Sequence, residues 1–219
     1  MSAMAKLLHM PPGRAGRLWL QHRLSTAQHG ADLLDHKLRI LRTEREQLAL
    51  QQDRMAAEWE SASREADMWL LRGVLLGGQR SVRLAAAPAP AEVRILWEQS
   101  MGVRYPAEAT CTVPDPSPGT PPPSNAALVA ARDCYRRAVQ AAVQQAAIDT
   151  AVRVLEAQET ATRRRLRAIE DRWIPRLQQA LAELQFKLEE DEHNDAVRLR
   201  WAAANRIGAE RGSGSKGKL

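Results

Sequence analysis

A heptad pattern of apolar residues constrains the fold of this chain more than any other feature. Read in alternating steps of four and three from position 20 to position 69, the residues are Leu, Leu, Ala, Ala, Leu, Leu, Leu, Arg, Leu, Gln, Met, Trp, Ala, Ala and Trp. Only Arg45 and Gln52 are polar, and no proline lies between Arg14 and Arg72. Apolar residues at this spacing line one side of a helix that packs on another helix. The pattern predicts one helix over residues 14–72, about 90 Å long.

A second stripe of the same kind begins at Ala127 and predicts a helix over residues 126–207. Because each seam needs a partner and one lies in the same chain, the two helices should form a long antiparallel coiled coil in a mainly α fold. The predicted seam residues are Leu24, Leu34, Leu38, Leu41, Leu48, Trp59, Trp69, Ile148, Val152, Leu155, Leu166, Ile169, Trp173, Leu184 and Leu188. The tryptophans should pack over alanines of the facing helix, since a large side chain fits against a small one.

The segment between the helices, residues 73–125, is rich in glycine and proline. It contains Gly77-Gly78 and a Pro-rich linker, with short runs at 81–84, 93–97 and 110–113 that could form a small hairpin or sheet. The ends of the chain, residues 1–13 and 208–219, are predicted to be disordered, the latter because it is rich in Gly, Ser and Lys.

Two residues interrupt the expected helices. Pro175 lies in a stutter of four-residue steps, so it should kink the second helix or else start a new one. Gly30 costs about 1 kcal/mol relative to Ala inside a helix, which indicates either close approach by a neighbour or simple tolerance.

Composition and motifs argue against an enzyme. Thirty-two Lys and Arg against 26 Asp and Glu give a net charge of +6, with the signs interspersed along the chain. The sequence has no P-loop, GxGxxG, GxSxG or HExxH motif, and its two cysteines form no CxxC pair. No apolar run approaches the roughly 20 residues of a membrane span, and no leader opens the chain, which favours a cytoplasmic protein. We expect no cofactor.

Three groups of polar residues could suggest ligand sites, and each is better explained as a solvated surface. His22, His29 and His36 are seven apart, about 10.5 Å along a helix, which is too far to share one metal. The acidic residues 189–192 point all round the helix axis, and so do Arg163, Arg164, Arg165 and Arg167, so neither run converges on one ligand. Each run could still meet a complementary partner surface.

Several blocks of the sequence carry a family resemblance. Residues 18–37 read LWLQHRLSTAQHGADLLDHK, residues 168–170 read AIE, residues 174–177 read IPRL, and residues 187–192 read KLEEDE. A weaker block is WEQS at residues 97–100. Together they resemble the D subunit of V-type and A-type rotary ATPases, the shaft of the central stalk.

The resemblance implies a non-catalytic rotor that couples ATP hydrolysis or synthesis in a hexamer of catalytic and regulatory subunits to ion transport. It further implies that both termini enter the hexamer, and that the lower part binds a small F-like stalk subunit and a funnel-shaped subunit on the membrane ring. The chain would then be cytoplasmic and attached to the membrane through its partners. Residues expected to face the hexamer are Leu18, Arg23, Gly30, Glu189, Arg198 and Arg200. Two alternatives are a free-standing coiled-coil scaffold and, from the basic pI, a nucleic-acid-binding coiled coil, although we expect no nucleic acid.

Overall fold

The computed structural model describes residues 11–85, 90–114 and 122–213, with side chains described as far as Ala203. Helix α1 spans Gly13–Ala85, strands β1 and β2 span Glu92–Ser100 and Val103–Thr112, and helix α2 spans Ala126–Ala168. A π-helical turn at Ile169–Trp173 then leads into helix α3, Ile174–Ser213. The prediction of a mainly α fold with a small hairpin insert is confirmed.

The chain forms two compact units, and α1 contributes to both. Among the described residues, the terminal unit consists of residues 11–34 and 165–213, and the hairpin unit consists of residues 35–85, 90–114 and 122–164. In the terminal unit, Leu20 of α1 packs against Leu177 and Leu184 of α3. Near the start of α1, Arg14 forms an exposed ion pair at 2.9 Å with Glu192 of α3. Early residues of α1 thus meet late residues of α3, so the two segments run antiparallel.

In the hairpin unit, α1 and α2 also pair antiparallel. Ala66 packs against Cys134 and Ala138 in a cluster of small residues. Leu41 packs against Ala151 and Leu155 together with residues of β2. The second contact differs from the first in that a strand shares it with the two helices.

Helix α1 extends beyond the predicted end at residue 72 and is broken at Gly78, after which residues 79–85 are helical again, so the expected start of the insert at 73 and the expected strand at 81–84 are wrong. Gly73 is tolerated because an added Cβ there would lie 2.5 Å from the Leu128 side chain of α2, so the lack of a side chain permits close packing. The non-helical residue is Gly78, whose φ of 72° is accessible to glycine. Asn125 accepts a 2.9 Å hydrogen bond from the Leu128 N–H and caps α2.

Strands β1 and β2 form an antiparallel hairpin with a two-residue turn at Met101 and Gly102. Both turn residues have positive φ, 48° and 78°, as hairpins with such short turns require. Lys37 of α1 donates a 2.9 Å hydrogen bond to the carbonyl oxygen of Met101 and so anchors the tip. The predicted run at 93–97 lies within β1, whereas the run predicted at 110–113 extends one residue beyond the end of β2 at Thr112.

One face of the hairpin carries its hydrophobic contacts with the helices. Val103 and Tyr105 of β2 pack with Leu41 and Leu155, and Cys111 of β2 is also buried. Every residue of β1 except Ser100, by contrast, is exposed. The hairpin is therefore held by its second strand.

The stutter around Pro175 coincides with the π-helical turn. The Ile174 N–H donates to the carbonyl oxygen of Ile169, one residue further back than in an α-helix, just before the proline. A wider turn relieves the crowding that the proline ring causes in the preceding turn. The structure thus contains a π turn at this point, and the kink at Pro175 stays a prediction.

The last helix extends further than predicted. Helix α3 continues to Ser213, six residues past the expected end at 207, so the expectation of disorder is wrong for residues 208–213. Alanine and arginine, frequent from 202 to 211, favour helix more than the glycines oppose it. The remaining tail predictions, for residues 1–10 and 214–219, lie outside the described residues, and Gly13 already begins α1.

Candidate partner-binding surfaces

The first polar position of the predicted seam forms a buried ionic layer in the hairpin unit. Arg45 Nε lies 3.4 Å from Oε2 of Glu159, whose side chain is only 7% exposed. Arg42 Nε lies 3.7 Å from Oε1 of Glu159, and Arg163 pairs with the same oxygen from one helical turn away. Three guanidinium groups therefore surround one buried carboxylate, which is the arrangement that a buried charge needs.

The second polar position of the seam, Gln52, forms a layer in which two glutamines bind one aspartate. Gln52 Nε2 donates a 2.7 Å hydrogen bond to Oδ1 of Asp149, and Gln145 Nε2 donates to the same oxygen at 2.7 Å. Both layers join α1 to α2. Polar pairs inside a coiled-coil seam fix the register, because sliding one helix along the other would leave buried polar groups without partners.

The hairpin unit contains two tyrosines, Tyr105 and Tyr135, whose hydroxyl groups lie close to carboxylates. The Tyr135 hydroxyl donates a 2.7 Å hydrogen bond to Asp67, and burial together with this acceptor raises the Tyr135 pKa to about 12. Burial, and then the carboxylates of Glu44 and Glu98, raise the pKa of Tyr105 above its ordinary value. Both hydroxyls stay protonated well above neutral pH and act as hydrogen-bond donors.

The end of α1 carries an exposed apolar surface bordered by arginines. We call it the leucine–arginine surface. Leu71, Leu75, Leu76 and Leu84 are 62–78% exposed, and Met68 is 43% exposed. Arg72, Arg80 and Arg83 are exposed in the same segment, and the sequence contains no Asp or Glu between Asp67 and Glu92. Exposed large apolar side chains in a segment with charge of one sign are typical of a protein-binding surface.

The residues expected to face the hexamer all lie in the terminal unit. Leu18 is 64% exposed, Glu189 and Arg200 are exposed, and Arg198 lies 3.9 Å from Asp195. Arg23 stacks over the Trp19 ring at 4.8 Å. An added Cβ at Gly30 would meet nothing within 4 Å, so Gly30 does not serve close packing within this chain. The terminal unit also exposes Phe186, Val197, Leu199 and Trp201.

The predicted seam residues differ widely in burial. Leu38, Leu41, Ile148, Val152, Leu155, Leu166 and Leu184 are buried, whereas Leu24, Leu34, Leu48, Trp69, Ile169 and Leu188 are half-buried. Trp59 is 45% exposed and Trp173 is 37% exposed, contrary to the expectation that they pack inside. Trp69, by contrast, packs against the small residues Ala66, Cys134 and Ala138, as expected for a large side chain over small ones, and Trp173 lies in the π turn, which buries no residue.

The heptad pattern did not predict that Glu159 and Asp149 pair with the polar seam residues of α1. The polar side chains of Arg45 and Gln52 could have indicated these pairs, because a buried charge or amide needs a partner on the facing helix. Leu20 and Leu177, which form the centre of the terminal unit's core, lie on the predicted stripes.

The described part of the chain contains no group of three His, Cys, Asp or Glu side chains placed to hold a metal ion. His22, His29 and His36 are all exposed. None of the helices in the described ranges is long and apolar enough to cross a membrane.

Comparison with known sequences identifies the class of protein. The family described as the D subunit of ATP synthase matches residues 18–204, which include both paired helical segments and the hairpin. The chain therefore belongs to this family of V-type rotary ATPase subunits. A relative from Thermotoga neapolitana, named as the D subunit of a V-type ATP synthase, is 28% identical over 195 residues, which cover 88% of this chain and 96% of that protein.

Proposed function

We propose that this chain is the central-stalk shaft of a V/A-type rotary ATPase. The observation that carries the proposal is that the family match extends over both antiparallel helix pairs and the hairpin. In this function the chain performs no chemistry itself. ATP is hydrolysed or synthesised by the catalytic hexamer, and the shaft couples those reactions to ion movement through the membrane ring by rotating.

The two polar layers suit a part that transmits torque. A load along or around the helix pair tends to slide α1 past α2. Sliding would separate Glu159 from Arg42 and Arg45 of α1, and Asp149 from Gln52 of α1. Because buried unpartnered polar groups are costly, the layers resist that movement.

The terminal unit is the part that enters the hexamer. It carries the exposed Leu18, Phe186, Leu199 and Trp201, together with charged side chains of both signs. Exposed aromatic and leucine side chains are residues that the surrounding subunits of a hexamer can bury. The catalytic and regulatory subunits are the partners of this unit.

The leucine–arginine surface binds the funnel-shaped subunit on the membrane ring. Its exposed apolar side chains require an apolar surface on the partner. Its arginines, with no carboxylate in the same segment, require acidic side chains on the partner. The small F-like stalk subunit is the remaining partner of the shaft.

Native mass spectrometry tests the assignment. The chain would be co-expressed with the catalytic, regulatory, small stalk and funnel-shaped subunits of the same genome. One copy of the chain per hexamer is the expected result. A chain that stays apart from the hexamer would refute the shaft and favour a free-standing scaffold.

A matched pair of variants tests the leucine–arginine surface. Leu75 is 78% exposed and Leu50, elsewhere on α1, is 69% exposed. Leu75→Asp should leave hexamer binding intact and release the funnel-shaped subunit, so that ATP hydrolysis continues while ion pumping is lost. Leu50→Asp makes the same chemical change outside the surface and should keep both activities. Equal behaviour of the two variants would refute this assignment.

A further inference from the structure

Strand β1 presents an open apolar edge. Its side chains Val93, Ile95, Leu96 and Trp97 are 46–60% exposed. Among the described residues, β2 is the one strand that pairs with β1, so the backbone groups on the other edge of β1 have no strand partner. The helices cover only the β2 side of this two-stranded sheet, so a further strand could add to it at β1.

Of the usual protections of an edge strand, β1 has charged side chains, at Glu92, Arg94 and Glu98, but it lacks proline, lysine and a bulge. Residues 92–100 contain neither proline nor lysine. The irregularity of the hairpin lies on the other strand, where Leu96 pairs with Glu108 and Trp97 pairs with Pro106, which leaves Ala107 without a partner on β1. The outer edge of β1 is therefore regular enough to accept another strand.

We propose that β1 pairs antiparallel with β1 of a second copy of this chain, so that the free protein forms a reversible dimer through a four-stranded sheet. Charge complementarity selects this occupant. In the register that places the two Leu96 residues opposite each other, Arg94 of each copy faces Glu98 of the other copy. In the same register Ile95 of each copy faces Trp97 of the other copy.

Neighbouring registers fit less well. A shift that centres the pair on Ile95 places Glu92 opposite Glu98, and a shift that centres it on Trp97 places Leu96 opposite Glu98. Opposite charges and aromatic–β-branched pairs across strands stabilise a sheet, whereas like charges destabilise it. The sequence of β1 is thus complementary to itself in one register. This inference concerns the free chain and does not depend on the proposed function.

Cysteine cross-linking tests the register in the full chain. Leu96→Cys places two thiols opposite each other, within the distance that a disulfide spans. Under mild oxidation this variant should form a covalent dimer, whereas the unsubstituted chain and Val93→Cys should not. Ile95→Cys and Trp97→Cys report the neighbouring registers. A covalent dimer from either of these, without one from Leu96→Cys, would overturn the register.

Sedimentation over a concentration series tests the dimer itself. Arg94→Glu replaces two attractive cross-strand pairs with two repulsive ones and should weaken the dimer about tenfold. The double variant Arg94→Glu/Glu98→Arg restores opposite charges and should recover association. Arg54→Glu makes the same charge change at an exposed position of α1 and should have no effect.

Two results would overturn the proposal. One is a chain that stays monomeric at every concentration, which would mean that β1 binds a different protein or none. The other is a dimer that Arg94→Glu and Arg54→Glu weaken equally, since the charges of β1 would then have no specific part. Circular dichroism of each variant confirms that the helices are intact, so loss of association cannot be mistaken for unfolding.

Discussion

Replacing Glu159 with glutamine tests the most heavily paired buried charge of the hairpin unit. The substitution keeps the shape of the side chain and removes its charge, so Arg42, Arg45 and Arg163 lose their shared partner. Removing one member of a buried ion pair typically costs about 3–5 kcal/mol. Arg42 and Arg163 are 48% and 42% exposed and can turn towards water, which reduces the penalty. Arg45, at 30% exposure, retains more of it. We expect a loss of about 2–3 kcal/mol in the free energy of unfolding.

Urea unfolding followed by far-UV circular dichroism measures this loss, and thermal unfolding should show a fall in Tm of about 4–12 °C for a chain of this size. The control is Glu60→Gln, which breaks an exposed ion pair with Arg64, 3.2 Å apart on the same face of α1. That variant should lie within about 0.5 kcal/mol of the unsubstituted chain. The double variant Arg45→Leu/Glu159→Leu should recover part of the stability, because an apolar pair can replace a buried ionic one. If Glu159→Gln and Glu60→Gln unfold at the same urea concentration, the ionic layer contributes nothing and the reasoning fails.

Three further predictions test other contacts. The Tyr135 pKa is about 12 in the folded chain against 10.0 normally, so its hydrogen bond should stabilise the fold below about pH 10 and be lost as pH rises through about 12. Tyr135→Phe should flatten that alkaline decline in urea unfolding and remove a late step from the tyrosinate absorbance titration. An unchanged titration would contradict the pKa. Gly30→Ala should raise stability by about 0.5–1 kcal/mol because its surroundings are open, whereas Gly73→Ala should lower it by about 1–3 kcal/mol because of Leu128. If both variants shift unfolding in the same direction, that difference in packing is wrong. Leu184→Asp places an unpaired charge among the buried leucines of the terminal unit and should lower Tm clearly, so an unchanged melt would mean that α3 does not pack there.

The long helices could be predicted because heptad spacing is a local property of the sequence. Residues such as Leu41 and Leu155 are apolar at the required positions, and no proline interrupts the first stripe. The end of α1 could not be predicted in the same way. Gly73 favours the end of a helix in isolation, and only the Leu128 side chain on α2 makes a glycine suitable there.

The partner-binding surfaces depend on tertiary structure to a greater degree. Val93 and Trp97 predict a strand equally well whether they are buried or exposed, and they are exposed because β2, rather than β1, packs in the cluster with the helices. The sequence places the leucines near the end of α1 in a helix, but it does not reveal that they are exposed in the described part of the chain. The pairing of Glu159 follows from the register of α1 against α2, which the spacing within one helix does not determine.

The two buried thiols make the chain a convenient starting point for site-directed labelling. Cys111 and Cys134 are free, but each lies in packed surroundings and is at most 8% exposed. Thiol reagents modify accessible cysteines first. A single cysteine introduced at an exposed position such as Leu50 would therefore accept a fluorophore or a bead while both native thiols remain in place. The rotation that we propose for this chain could then be tested in an assembled complex, one molecule at a time.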